Sequence, residues 1–378
     1  MLYSGHICRI NPPDYRMKGM KTMSKANKAA PAQRMVYLDI IRIAAIFSVI
    51  IIHVTTCEWY SLPVASLRWQ VLNLFNAANR WCIAGFVLMS GRAFLNPAKP
   101  VSFAVLFKKN VLRMLFSLIF WSTAYHLYET ALVAGRITAY DLLGGITSVF
   151  TLSARRHLWF LYLMIGLYLL TPALRRLVER LSVRTLVGSS ITLLLISGIT
   201  PLVLYGTVTY AYMQYVMQVP GFIGLFILGY CLDRVHLSVR TLRLLCAAGV
   251  FGALFTIVGT SIISVQTGTA TQILYANTAP NVVITAVGLL AFGRKRLYAL
   301  SFGQKWDKRI SKLASLTYAI YLVHDFFVIA LERGLGGISI ALLQPTLSVL
   351  TFSCWVFLLC TPVAYLLRKI PVLNRYIA

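Results

Sequence analysis

The stretch Val36–Cys57, VYLDIIRIAAIFSVIIIHVTTC, decides how this chain is read. It is long and apolar enough to span a bilayer, which takes about 20 residues of helix. Yet it carries Asp39, Arg42 and His53. Ionisable groups at membrane depth are costly unless they face a partner or a cavity. At 100° per residue, Arg42 and His53 differ by about 20° and Asp39 and His53 by about 40°, so all three share one helical stripe. The helical rise puts Arg42 and His53 about 16 Å apart along the axis. The segment therefore reads as a membrane helix with a polar track.

The rest of the chain agrees. Of its 378 residues 58% are hydrophobic and only 12% charged, where soluble domains carry about a quarter charged residues. Long apolar runs recur throughout, which excludes an ordinary soluble enzyme and predicts an all-α, polytopic helical bundle embedded in the lipid bilayer. About ten spans are expected, at 36–57, 71–91, 107–132, 158–174, 185–205, 215–232, 242–264, 276–293, 313–332 and 346–367. One transmembrane domain covers 36–370, between a disordered basic tail at 1–35 and a short cytoplasmic tail at 371–378.

The formal charge of +26 comes from 36 Lys and Arg against 10 Asp and Glu. In a soluble protein that balance suggests nucleic acid. Here all but six of the basic residues fall in alternate connectors or at the helix ends facing them, the exceptions being Arg68, Arg80, Arg136, Arg155, Arg156 and Arg333. The positive-inside rule then explains the charge, puts both termini in the cytoplasm and leaves no role for nucleic acid. The seven cysteines show no metal-ligand spacing and read as packing residues. No zinc-type cluster, glycine-rich phosphate loop or hydrolase Gly-x-Ser-x-Gly is present, so no metal is expected.

On this orientation Arg42 and Arg113 sit at cytoplasmic helix ends, and His53, His126, His157 and His324 fall toward the outer half. The long outer connector ends in Arg155-Arg156-His157, followed by Leu158-Trp159-Phe160. Such aromatic residues commonly mark the membrane interface.

Several segments together resemble the acyltransferase family 3 integral membrane acyltransferases, which O-acylate surface polysaccharides and their lipid-linked precursors. Leu38-Asp39-x-x-Arg42 with His53 ten intervening residues on resembles the family's basic-x10-His signature. Phe86-Val87-Leu88-Met89-Ser90-Gly91 resembles its Phe-Phe-x-x-Ser-Gly segment. Lys108-Lys109-Asn110-Val111-Leu112-Arg113 resembles its Arg-x-x-Arg element, with Asn110 at the first arginine, so that Lys109 or Lys108 supplies the charge. His157-Leu158-Trp159-Phe160-Leu161, Gly221-Phe222-Ile223-Gly224, Leu228-Gly229-Tyr230 and Tyr318 to His324 are further similar segments. The pattern is closest to the subgroup of the enterobacterial common antigen O-acetyltransferase.

The resemblance implies an O-acyltransferase, most simply an O-acetyltransferase, of the bacterial inner membrane. It would use acetyl-CoA as acyl donor and a glycan or glycolipid as acceptor. His53 is the expected general base, since imidazole exchanges protons near neutral pH. The plainer alternative is a buried histidine bonded to a neighbouring carbonyl. Asp39 is placed with the catalytic set: one turn from Arg42, it either orients that residue or simply pairs with it at the membrane surface. Arg42, Lys109 and Arg113 are expected at the phosphates of the coenzyme, which need fixed cations; basic residues at cytoplasmic helix ends are also common for topology alone. Glu58, Arg155, Arg156, His157, Trp159, His126 and His324 are candidates for the acceptor side, with interhelical hydrogen bonding the alternative for His126 and His324. A transporter or flippase of a lipid-linked sugar is the rival from another class, and a homo-oligomer is left open.

Overall fold

The computed structural model describes residues 36–98, 102–204, 216, 218–235, 237–297 and 302–377. The expected tail at 1–35 lies outside the described residues. Helices dominate and no strand occurs among the described residues. In chain order they are α1 (Val36–Thr56), α2 (Leu67–Asn79), α3 (Trp81–Phe94), a short α4 (Phe103–Leu106), α5 (Leu112–Ala134), α6 (Ala139–Phe150) and α7 (Trp159–Arg180). After these come α8 (Val183–Val203), α9 (Gln218–Leu232), α10 (Val239–Thr267), α11 (Pro280–Phe292), α12 (Gln304–Glu332), α13 (Pro345–Lys369) and α14 (Pro371–Tyr376).

Seven of these helical segments, those built on α1, α7, α8, α10, α11, α12 and α13, are long and apolar enough to cross a membrane. The chain is thus an all-α polytopic membrane protein. The other three expected spans are helical too, but less regular. The run at 71–91 is two helices, α2 and α3, that meet at Arg80. The run at 107–132 begins with a π-helical turn at Phe107–Val111 before α5. Such wide turns recur at functional sites. The last is the shorter α9. Helix α6, between α5 and α7, was not expected. It starts in a capping box of Thr138 and Asp141 and packs against α5, where Gly145 approaches Thr123.

Helix α1 lies at the centre, against α2, α3, α12 and α13. Without a hydrophobic drive between helices in lipid, close packing depends on small residues. That is the role of Ser90-Gly91 and of the glycines of α9. A Cβ at Gly91 would overlap the Phe226 carbonyl, and one at Gly229 would overlap the Leu88 carbonyl, so α3 and α9 cross with their backbones in contact. Gly249 and Gly288 bring α10 and α11 together in the same way. At the C-terminal end α14 leads into Ile377, whose carbonyl accepts from Ser117 Oγ and Trp121 Nε1, both at 3.0 Å.

Candidate active site

The polar track of α1 reaches two cavities that share two lining residues. The first, about 380 Å³, is lined by Arg42 from α1, Ser90 and Phe94 from α3, Lys109 and Arg113 around the π-helical turn, Tyr168 from α7 and Arg368 from α13. The second, about 650 Å³, is lined by His53 and Thr56 from α1, Arg80, Arg156, His157 and Trp159, with Phe222 from α9. Ile83 and Tyr321 line both. Arg42 and His53, on one stripe of α1, line neighbouring cavities.

In the first cavity the three cations expected at the coenzyme come together, from residues more than 60 positions apart in the chain. Lys109 and Arg113 are brought to the same wall because the wide turn at 107–111 precedes α5 directly. The Arg113 guanidinium lies 5.3 Å from the Tyr318 ring centroid, a cation–π distance. Asp39 is buried and accepts from Ser311 Oγ at 2.8 Å, with Arg42 Nη1 3.4 Å away. It stands about 21 Å along α1 from His53. Asp39 therefore contacts Arg42, as expected of a residue one turn away, and ties α1 to α12, but it is remote from His53.

In the second cavity His53 has a carboxylate behind it. Its Nδ1 is 3.8 Å from Asp325 Oδ1. Asp325 is buried on α12, its Oδ2 2.6 Å from Arg155 Nε and 3.2 Å from His157 Nδ1. Arg155 also reaches Glu129 Oε1 at 2.7 Å and Glu332 Oε2 at 3.6 Å. One guanidinium thus joins α5 and α12 to the loop before α7, and fixes the carboxylate that faces His53. Arg155, expected to bind acceptor, is engaged by these three carboxylates and lines neither cavity.

His157 and His324 complete a tight group, their ring centroids 6.1 and 5.0 Å from that of His53. His324 is fully buried and lines neither cavity. Its Nδ1 is 2.6 Å from the Tyr321 carbonyl, which only accepts, so that nitrogen carries the proton. The Tyr321 hydroxyl in turn donates to the His157 carbonyl. His53, His324 and Asp325 present ligand atoms within 4.8 Å of one another, a spacing that suits a cation. The Arg155 guanidinium already supplies positive charge to that carboxylate.

Of the remaining candidates, Arg156, His157 and Trp159 line the second cavity as expected. Glu58 lines neither cavity and does not fit the acceptor role: its Oε2 is 2.7 Å from Arg68 Nε, and Arg68 also donates to the Ile340 and Leu343 carbonyls. His126 lines neither cavity as well. Its ring packs beside Gly144 of α6, where a Cβ would come within 2.9 Å of Nε2. This is a packing contact between α5 and α6.

Asp325 is the residue that sequence reasoning passed over as a participant. The available signal was an acid inside an apolar helix, next to a histidine, in a chain with only 10 acids. Arg80 gave a similar signal as a cation in the middle of an expected span.

A helical membrane bundle with a cation-lined cavity beside a histidine–carboxylate pair is suited to group transfer within a membrane. The chain belongs to the membrane acyltransferase family that its motifs resemble: the model of the acyltransferase domain matches residues 35–368. No curated protein and no solved structure matches the chain.

Proposed function

We infer that this acyltransferase takes an acyl group, most simply acetyl, from cytoplasmic acyl-CoA and moves it to a sugar hydroxyl of a cell-surface glycan or its lipid-linked precursor, in the bacterial inner membrane. The observation that carries this reading is the pair of cavities that meet at Ile83 and Tyr321, cations in one and His53 backed by Asp325 in the other.

In this reading Arg42, Lys109 and Arg113 bind the phosphates of the donor, and the pantetheine arm covers the roughly 16 Å to His53. Nδ1 of His53 faces the carboxylate, which leaves Nε2 for the acceptor. As the hydroxyl oxygen attacks the thioester carbonyl, its proton passes to Nε2. The new C–O bond forms, the C–S bond breaks, and the imidazolium returns the proton to the departing thiolate. Asp325 and Arg155 keep the ring oriented while its charge changes.

The test is transfer of labelled acetyl from acetyl-CoA in membranes holding equal amounts of folded wild-type or His53→Ala protein. Loss of labelling by at least about a hundredfold is expected for a general base. Undiminished labelling would remove His53 from the chemistry. Absence of coenzyme A binding to the wild-type protein would favour a lipid-sugar transporter.

A further inference from the structure

The cavity beside His53 has a charge pattern that acyl transfer alone does not call for. Its described lining contains two arginines, Arg80 and Arg156, and no aspartate or glutamate. Of the other arginines expected on that side, Arg68 pairs with Glu58 and Arg155 with three carboxylates, while Arg136 and Arg333 are exposed and lie outside the cavity lining. Among the described residues neither Arg80 nor Arg156 lies within 4.0 Å of a carboxylate oxygen, although Arg156 is the chain neighbour of Arg155.

Arg80 is also held in place. Its Nε donates to Asn76 Oδ1 at 2.8 Å, and its guanidinium carbon lies 4.1 Å from the centroid of the Tyr275 ring. These contacts use one nitrogen and one face, and leave the terminal nitrogens for something in the cavity. A cation kept in largely apolar surroundings is expensive unless a counter-charge arrives. Two guanidiniums lining one cavity suit an oxyanion bound there.

The remaining wall is mostly apolar and reaches the outside of the bundle. Leu170 of α7 and Val219 of α9 line the cavity and are exposed, 40% and 52%. At Gly166, which also lines it, a Cβ would meet nothing within 4 Å, so the slot between α7 and α9 stays open there. A cationic end and an apolar slot open to the side match an amphiphile with an anionic head.

We propose that the acceptor occupies this cavity as a phosphate-linked lipid, its phosphate on Arg80 and Arg156, its hydrocarbon chain in the slot between α7 and α9, and its sugar against His53. Only the last of these placements rests on the acyl-transfer reading.

The experiment is a binding titration on the full chain in nanodiscs of zwitterionic lipid, with geranylgeranyl phosphate, the neutral alcohol geranylgeraniol, inorganic phosphate and free glucuronate as probes. Geranylgeranyl phosphate should bind at least tenfold more tightly than each of the others. Arg156→Gln, at an exposed position that the fold tolerates, and Arg80→Gln should each weaken it tenfold or more. Arg333→Gln, an exposed arginine outside the cavity, should leave it unchanged. Equal binding of alcohol and phosphate ester would overturn the proposal. So would unaltered binding in both cavity variants, or binding of inorganic phosphate or glucuronate as tight as that of the lipid. Coenzyme A is titrated on the same samples. Lipid phosphate binding without coenzyme A binding would uphold this site and sink the transferase reading; coenzyme A binding without lipid phosphate binding would sink this proposal alone.

Discussion

Asp325→Asn isolates what the buried carboxylate contributes to His53. The substitution keeps the shape and removes the charge 3.8 Å from Nδ1. A full charge at that distance attracts an imidazolium by about 4 kcal/mol at an effective dielectric constant near 20. The Arg155 guanidinium on the same carboxylate, 2.6 Å from Oδ2, opposes the imidazolium and removes roughly half of this. What remains, about 2 kcal/mol, corresponds to a loss of roughly 30-fold in kcat. It is smaller than the ~10⁴-fold typical of a directly hydrogen-bonded triad carboxylate. Removing one partner of a buried pair also destabilises, by up to about 5 kcal/mol, but Arg155 keeps Glu129 and Glu332. The assay is single-turnover acetyl transfer on folded, detergent-purified protein, with coenzyme A affinity measured in parallel. A drop in rate at unchanged coenzyme A affinity is expected. Wild-type rate in the folded variant would refute the argument that this carboxylate supports proton transfer at His53.

Three further outcomes follow from other parts of the molecule. Arg42→Gln removes a half-exposed cation from the donor cavity and should raise KM for acetyl-CoA about tenfold with little change in kcat, as expected for lost ground-state binding of a phosphate; steady-state kinetics decide it. Gly229→Val forces a side chain into the Leu88 carbonyl and should destabilise the bundle by about 3 kcal/mol, read as a lower thermal midpoint, whereas Gly135→Asn, at a left-handed position with open space around it, should be tolerated. At the start of α6 the hydroxyl and then the amide of Thr138 hold the Asp141 carboxyl below the usual carboxylate range. The folded value is the depressed one, so the cap supports α6 above the ordinary carboxylate range and is lost as pH falls through the folded value. Hydrogen exchange in the first turn of α6, corrected for intrinsic rates, should rise on that descent in wild type and be insensitive to it in Asp141→Asn.

Apolar length and loop charge made the class of fold legible, because both are strong local signals. They did not show where a span breaks. Arg80 interrupts an apolar run whose mean hydropathy is high enough to hide it, and α6 is too short and amphipathic to register as a span. The grouping of Arg42, Lys109 and Arg113 around one cavity was legible, since their positions near helix ends already share one side. Around His53 the sequence offered too many polar residues and no way to rank them. Arg155, Arg156 and His157 are consecutive, yet Arg155 turns inward to three acids, Arg156 faces the cavity, and His157 does both, contacting Asp325 while lining the wall. That division depends on where α5 and α12 bring Glu129, Asp325 and Glu332, contacts up to 177 residues apart in the chain.

The partition between the two cavities carries its own chemical logic. A thioester in one open channel would meet water from both sides, and transfer would compete with hydrolysis. Two cavities that share Ile83 and Tyr321 in their linings would, on the proposed reading, keep the donor and the sugar apart until transfer. The two shared residues are not equivalent. Tyr321 is buried and tethered through its hydroxyl to the His157 carbonyl, and its own carbonyl holds His324, so moving it disturbs two members of the histidine group. Ile83 has no polar atom to tether it and changes rotamer without breaking a hydrogen bond. If the proposed acyl arm crosses between the cavities, Ile83 is the shared residue whose displacement disturbs the histidine group least.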